Sequence, residues 1–200
     1  MRSNPSKPTA GRPDIILYGG PGSGKSTQAS ALVASLNAQH LNMGGLLRAF
    51  VKGRSADALR TKKIMFAGKL VPVRITNSLA ERFVDQTKSH HRIVFDGYPR
   101  SLAQAKFLDK LMAKTGRSVN LLYIKLPVKV ARDRLIKRAR IEHRPDDLDP
   151  SALRSRIAVF HHEAKDLLAH YRKTKQLIII DGDQTVKQVQ AAIAKAVSKC

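Results

Sequence analysis

Ile15-Ile16-Leu17-Tyr18-Gly19-Gly20-Pro21-Gly22-Ser23-Gly24-Lys25-Ser26 is the stretch that decides the fold. Its first four residues form a short, continuous apolar run, the pattern of a strand covered on both faces. Gly19 onward satisfies G-x-x-x-x-G-K-[ST], and Lys25–Leu36 then carries Ala29, Leu32, Val33 and Leu36 at helical spacing. A strand before and a helix after this motif is the context of a phosphate-binding loop. Glycines let the chain bend tightly, so that successive backbone N–H groups face phosphate oxygens. The helix that follows adds the positive end of its dipole, and Lys25 adds a full charge. Gly20, Pro21, Gly22, Ser23, Gly24, Lys25, Ser26 and Thr27 are therefore the expected ATP-phosphate contacts, with Ser26 placed to offer a hydroxyl to Mg²⁺.

Downstream of the loop, Arg92–Asp96, Asn120–Ile124 and Gln176–Ile180 read as further short apolar strands. Leu153, Ile157, Phe160, Ala164, Leu167 and Tyr171 make one helical stripe, and Val186, Val189, Ile193 and Val197 make another. Strands alternating with helices imply an α/β fold: a parallel sheet between two helical layers. Residues from about Asn42 to Lys88 break the alternation and read as consecutive helices, and Arg140–Pro150 reads as a polar loop. Asp96 closes an apolar strand, where open α/β sheets present ligand residues, and is the expected carboxylate for Mg²⁺, directly or through water.

Composition sets the outer bounds. The chain has 200 residues, 42% hydrophobic and 26% charged, which suits a single compact domain. Met1–Pro13 holds Pro5, Pro8 and Pro13, three basic residues and no acid, and reads as a flexible basic extension ahead of a domain spanning 14–199. No apolar segment follows it, so no secretory signal is expected, and no run is long enough to cross a bilayer. The single cysteine, Cys200, excludes an intrachain disulfide and a cysteine zinc site, and fits a reducing, cytoplasmic setting. The seven histidines show no metal-ligand spacing.

Thirty-seven Lys and Arg against fifteen Asp and Glu give a formal charge of +22. Such a field attracts polyanions. It keeps a nucleic-acid partner open beside the nucleotides; Lys125–Arg144 alone has eight basic and two acidic residues.

From Ile15 to about Ile193 the chain resembles the adenylate kinase and nucleoside monophosphate kinase family. The resemblance is carried, beyond the phosphate loop, by Leu46-Leu47-Arg48, Gly68-Lys69-Leu70-Val71-Pro72 and Asp96-Gly97-Tyr98-Pro99-Arg100 with Gln104. It continues through Arg134-Leu135-Ile136-Lys137-Arg138, Arg144-Pro145-Asp146-Asp147, Arg156 and Asp181-Gly182. It implies a core with a monophosphate-binding insert at about 42–72 and a short lid at about 138–151. The acceptor monophosphate would be held by Arg48 and Arg100 beside Gly97. Gln104 would read the base in a pocket with Met43, Met65, Lys69 and Val71. Lys25, Arg100, Arg134, Arg138, Arg144 and Arg156 would grip the donor phosphates and the group in flight, with Arg154 an alternative to Arg156. Gly182 would lie against the donor adenine, and Asp146 and Asp147 would fasten the lid.

The implied reaction is reversible, Mg-dependent transfer of the ATP γ-phosphoryl to AMP, by a monomer. The resemblance also marks departures. Met43 stands where adenylate kinases have threonine, Gly45 where they have aspartate, and Val73-Arg74 where they have an acidic pair. A UMP/CMP kinase is the first alternative on these grounds. A kinase-like nucleic-acid-associated binding protein with weak or no catalysis is the second.

Overall fold

A computed structural model of the protein describes residues 11–142 and 150–200, with the backbone alone over 136–142 and at 150. Arg144, Asp146 and Asp147 lie outside the described residues, as do the side chain of Arg138 and most of the expected lid. The strands are β1 (Asp14–Tyr18), β2 (Gln39–Asn42), β3 (Ile93–Asp96), β4 (Val119–Lys125) and β5 (Leu177–Asp181). The helices among the described residues are α1 (Lys25–Leu36), α2 (Met43–Phe50), α3 (Ala56–Phe66), α4 (Val73–Gln86), α5 (Leu102–Lys114), α6 (Val128–Glu142), α7 (Pro150–Lys173) and α8 (Val186–Ser198). The sheet is wholly parallel in the order β2-β3-β1-β4-β5. None of the described helices is long and apolar enough to cross a membrane.

Strand alternation builds two cores. Ile16, Tyr18, Ile93, Phe95, Val119 and Leu121 face one side, with α4, α5 and α7 supplying residues such as Val84, Leu108 and Leu167. Ile15, Leu17, Val94, Leu122 and Ile124 face the other, against Ala29 and Leu32 of α1 and Val189, Ile193 and Val197 of α8. This is the three-layer α/β/α arrangement expected from the alternation.

The structure departs from the sequence reading in three places. Strand β2 lies just ahead of the helical tract; it has only Leu41 fully buried, so its identity comes from pairing with β3 rather than from its own pattern. The loop read from Arg140 begins later, because α6 runs to Glu142. Val186 is 58% exposed and stands outside the buried stripe of α8, as the first residue of that helix.

One buried ion pair ties the amino ends of the strands together. The Asp14 carboxylate, 2% exposed, accepts from Arg117 Nε and Nη2 at 2.7 and 2.8 Å. It also accepts from the backbone N–H of Ile93 at 2.6 Å, and Arg117 Nη2 donates to His91 O at 2.6 Å. β1, β3 and the turn before β4 are thus fixed by one carboxylate. Removing one partner of such a pair leaves a buried charge uncompensated. Asp14→Ala is expected to lower folding stability by about 3–5 kcal/mol, read as a fall in the midpoint of urea unfolding.

Candidate active site

The loop between β1 and α1 has the geometry of an anion cradle. Gly22 and Gly24 both take φ of +80°, and Ser23 N–H donates to Gly20 O at 3.2 Å to close the turn. α1 starts with no side-chain cap and no acidic residue in its first turn, so its leading N–H groups are left for a ligand. Lys25 Nζ folds back to donate to Gly20 O at 3.3 Å. The Ser23 hydroxyl is 3% exposed and has no hydrogen-bond partner.

Close packing holds this loop in place, and the glycines make that packing feasible. A Cβ on Gly22 would meet Ala131 O of α6 at 2.6 Å. One on Gly20 would meet the Phe160 ring of α7 at 3.1 Å. Gly68, at φ +68°, packs on α7 in the same way, where a Cβ would lie 2.5 Å from Ala152 O. The segment after α3 therefore touches the helix that follows the expected lid, and the two walls close over the loop.

Between these walls is a cavity of about 290 Å³. Pro21, Gly22, Lys25 and Ser26 line it from the loop, and Asp96, Gly97 and Arg100 from the end of β3. Met43, Arg48, Met65, Lys69 and Val71 line it from the helical tract, with Gln104 at the start of α5 and Arg156 on α7. The arrangement brings together residues separated by more than a hundred positions in the chain. Arg156, rather than its neighbour Arg154, reaches the cavity.

Gly20, Ser23, Gly24 and Thr27 belong to the loop and first turn without lining the cavity. Arg134 sits beside it, donating from Nη2 to Gln184 O at 3.2 Å. Gly182 follows β5, so close to β4 that a Cβ would lie 2.8 Å from Ile124 Cγ2. Neither of these two residues lines the cavity.

Hydrogen bonds organise the cavity floor. Gln104, 2% exposed, accepts from Arg100 N–H at 2.6 Å and donates from Nε2 to Thr76 Oγ1 at 3.0 Å. Each end of its amide keeps one further bonding capacity. Arg100 Nε donates to Gly97 O at 3.1 Å, and a Cβ on Gly44 would lie 3.2 Å from Arg48 Nη1. The missing side chains of Gly44 and Gly97 leave room for the two guanidinium groups.

Charge is unbalanced here. The Arg100 pKa is lowered by desolvation first and then by repulsion from Arg156, with Asp96 and Tyr18 acting the other way. Arg100 retains accessible surface, but that surface faces the cavity, which reconciles exposure with desolvation. Asp96 is 4% exposed, and the His40 ring lies 3.9 Å from its carboxylate. Two guanidinium groups and Lys25 around one buried carboxylate stabilise an anion in the space between them.

Sequence reading did not single out Tyr18, Thr76 or Phe160. Tyr18 and Phe160 pack with ring centroids 5.5 Å apart, and burial raises the Tyr18 pKa. Both were legible only as core residues. Thr76 acts through Gln104 and carries no sequence signal.

The chain matches the family model for adenylate kinase over residues 17–176. It is 34% identical to the adenylate kinase of Cyanothece sp. over 186 residues, covering 92% of this chain and 95% of that protein. It is also 34% identical to the adenylate kinases of Xylella fastidiosa strain M12 and Caulobacter vibrioides, over 183 and 184 residues. Those alignments cover 91% and 92% of this chain, and 97% and 96% of the relatives.

The two positive-φ glycines of the loop separate strain from packing. Gly24→Ala meets open space and is expected to cost only its backbone conformation, about 1–2 kcal/mol. Gly22→Ala adds the collision with α6, a further 1–3 kcal/mol or so. Urea denaturation of both variants should rank them in that order.

Proposed function

The chain belongs to the adenylate kinase family, and from that premise we propose that it transfers the ATP γ-phosphoryl to AMP, reversibly, through the cavity between the loop, β3 and α7. The observation that carries the reading is the convergence of Arg100, Arg156 and Lys25 on one cavity that also holds Gln104.

Roles follow from position. The loop N–H groups and Lys25 hold the donor phosphates, with Arg134 and Gly182 on the side where the donor base would lie. Arg48 and Arg100 hold the acceptor phosphate, and the remaining capacity of the Gln104 amide meets the acceptor base. Met43, 2% exposed, and Val71, 6% exposed, form the apolar walls of that pocket. Arg156 spans the gap and neutralises the group in transfer. Phosphoryl transfer needs in-line alignment and charge neutralisation rather than covalent help, which suits a site built of guanidinium groups. The attacking phosphate oxygen is already ionised near neutral pH, so no dedicated base is required. Gly68 packed on Ala152 joins the monophosphate side of the cavity to α7, and closure over both nucleotides would exclude water, the competing nucleophile.

Mg²⁺ fits the donors present. Asp96 is a buried carboxylate and Ser26 a hydroxyl, both on the cavity wall. No cluster of three or more His, Cys, Asp or Glu occurs among the described residues, in keeping with an ion that takes one protein carboxylate, waters and substrate phosphate. When bound, it would neutralise charge on the donor phosphates. Arg138 and Arg144 are proposed to complete the cage from the lid side.

AMP is favoured as the acceptor because the relatives are named adenylate kinases. The test is a coupled assay with Mg²⁺, ATP and a panel of AMP, UMP and CMP. AMP turnover is expected to exceed the others, and Arg100→Ala to reduce it on the order of 10³–10⁵-fold. Gln104→Ala should raise KM for AMP and leave KM for ATP unchanged. Equal rates with all three acceptors, or none above the Lys25→Ala background, would remove the reading.

A further inference from the structure

At the opposite end of the sheet lies a second cavity, of about 340 Å³, lined by Arg12, Ser35, Leu36, Asn37, His90, His91 and Arg92. Arg12 and Arg92 stand immediately before β1 and β3, and Ser35–Asn37 end α1, so this cleft opens at the amino ends of the strands. The phosphate loop is at their carboxyl ends. The twelve residues of α1 separate the two by about 18 Å.

We propose that this cleft is an anion site that takes a phosphate group. Among the described residues no carboxylate lines it. Arg92 is 6% exposed, and the partner it finds is the Pro13 carbonyl, to which both Nε and Nη2 donate. Neither Arg12 nor Arg92 makes an ion pair among the described residues. Residues 1–10 contain no Asp or Glu. Asp14, which attracts Arg92, is already engaged by Arg117 on both oxygens. Burial, with repulsion from Arg12, lowers the Arg92 pKa; Asp14 and Cys200 act against it. The positive charge is thus buried, and the groups that attract it, Asp14 and Cys200, do not line the cleft, a condition an entering anion relieves.

The wall is also braced. Arg117 holds His91 O, and His91 Nδ1 lies 3.3 Å from Asn37 O. The His90 and His91 rings lie 4.3 Å apart beside the guanidinium groups. Donors on fixed backbone lose little freedom on meeting a ligand. The opposing influence is the carboxyl end of α1, roughly half a negative charge, which two guanidinium groups outweigh. No aromatic ring other than histidine lines the cleft, so the contacts available read phosphate rather than base. The source is either a phosphodiester of a polynucleotide, which the charge of +22 would draw in, or a free phosphate or phosphate monoester.

The full chain, with Mg²⁺ withheld, is titrated separately with inorganic phosphate and with a short single-stranded RNA. The ring resonances of His90 and His91 and the amide of Asn37 are followed by NMR. Saturable shifts are expected with both probes, weakened at least about tenfold in Arg12→Ala. That variant should keep its AMP turnover, because Arg12 is far from the catalytic cavity and exposed. RNA binding that is tighter than phosphate, with a salt slope that drops by about one in Arg12→Ala, assigns the site to polynucleotide. Phosphate binding as tight as RNA assigns it to the small anion. Absent or non-saturating shifts, or shifts unchanged by Arg12→Ala, would overturn the proposal.

Discussion

Desolvation of the Arg100 guanidinium, beside Asp96 and Arg156, is the constraint around which the rest of the site is arranged. The fold places both guanidinium groups on one cavity, with Asp96 as the buried carboxylate opposing them. Such a cluster raises the energy of the empty state and is stabilised when an anion bridges it. The cost must be met elsewhere, and the two apolar cores on either face of the sheet are where it is met. Asp96 can serve because it ends a strand buried on both faces. The backbone there is fixed by pairing Leu17 with Asp96 and Asn42 with Asp96 on either side.

Close backbone approach does the remaining positioning. Gly20 against the Phe160 ring, and Gly22 and Gly68 against the backbone carbonyls of Ala131 and Ala152, connect the loop, α6, α7 and the end of α3. Any Cβ at these points would push the walls apart by a few tenths of an ångström or more. For transfer between two bound phosphates, displacement on that scale already degrades alignment. The glycines of this chain therefore act in two different ways: Gly24 supplies backbone conformation in open space, and Gly22 supplies conformation and contact together.

How much of this was legible in the sequence depends on whether a feature is local. β1, the loop and α1 were readable because strand period, glycine spacing and helical stripe all agree within one segment. Arg100 and Gln104 were readable from the resemblance carried by a five-residue motif, Asp96 to Arg100, and the glutamine four positions on. β2 was not, since Gln39–Asn42 has one buried apolar residue and becomes a strand only through β3. Thr76 and Tyr18 were missed because their roles come from what faces them across the fold: an amide 28 residues away for Thr76, a ring on α7 for Tyr18. Asp14 stands just ahead of the apolar run read as a strand, yet its carboxylate joins partners up to 103 residues distant. Nothing in a one-dimensional pattern distinguishes such an aspartate from a solvated one.

The two phosphate-favouring regions differ in a way that follows from α1 alone. Its amino end points at the loop, so the dipole adds to Lys25 and to the guanidinium groups of the catalytic cavity. Its carboxyl end points at the cleft of Arg12 and Arg92 and subtracts from their charge. One helix thus ranks the two regions, strong at the carboxyl end of the sheet and weaker at the amino end, although guanidinium groups stand at both. The formal charge of +22 raises the potential everywhere and cannot set that order; the direction of a twelve-residue helix can.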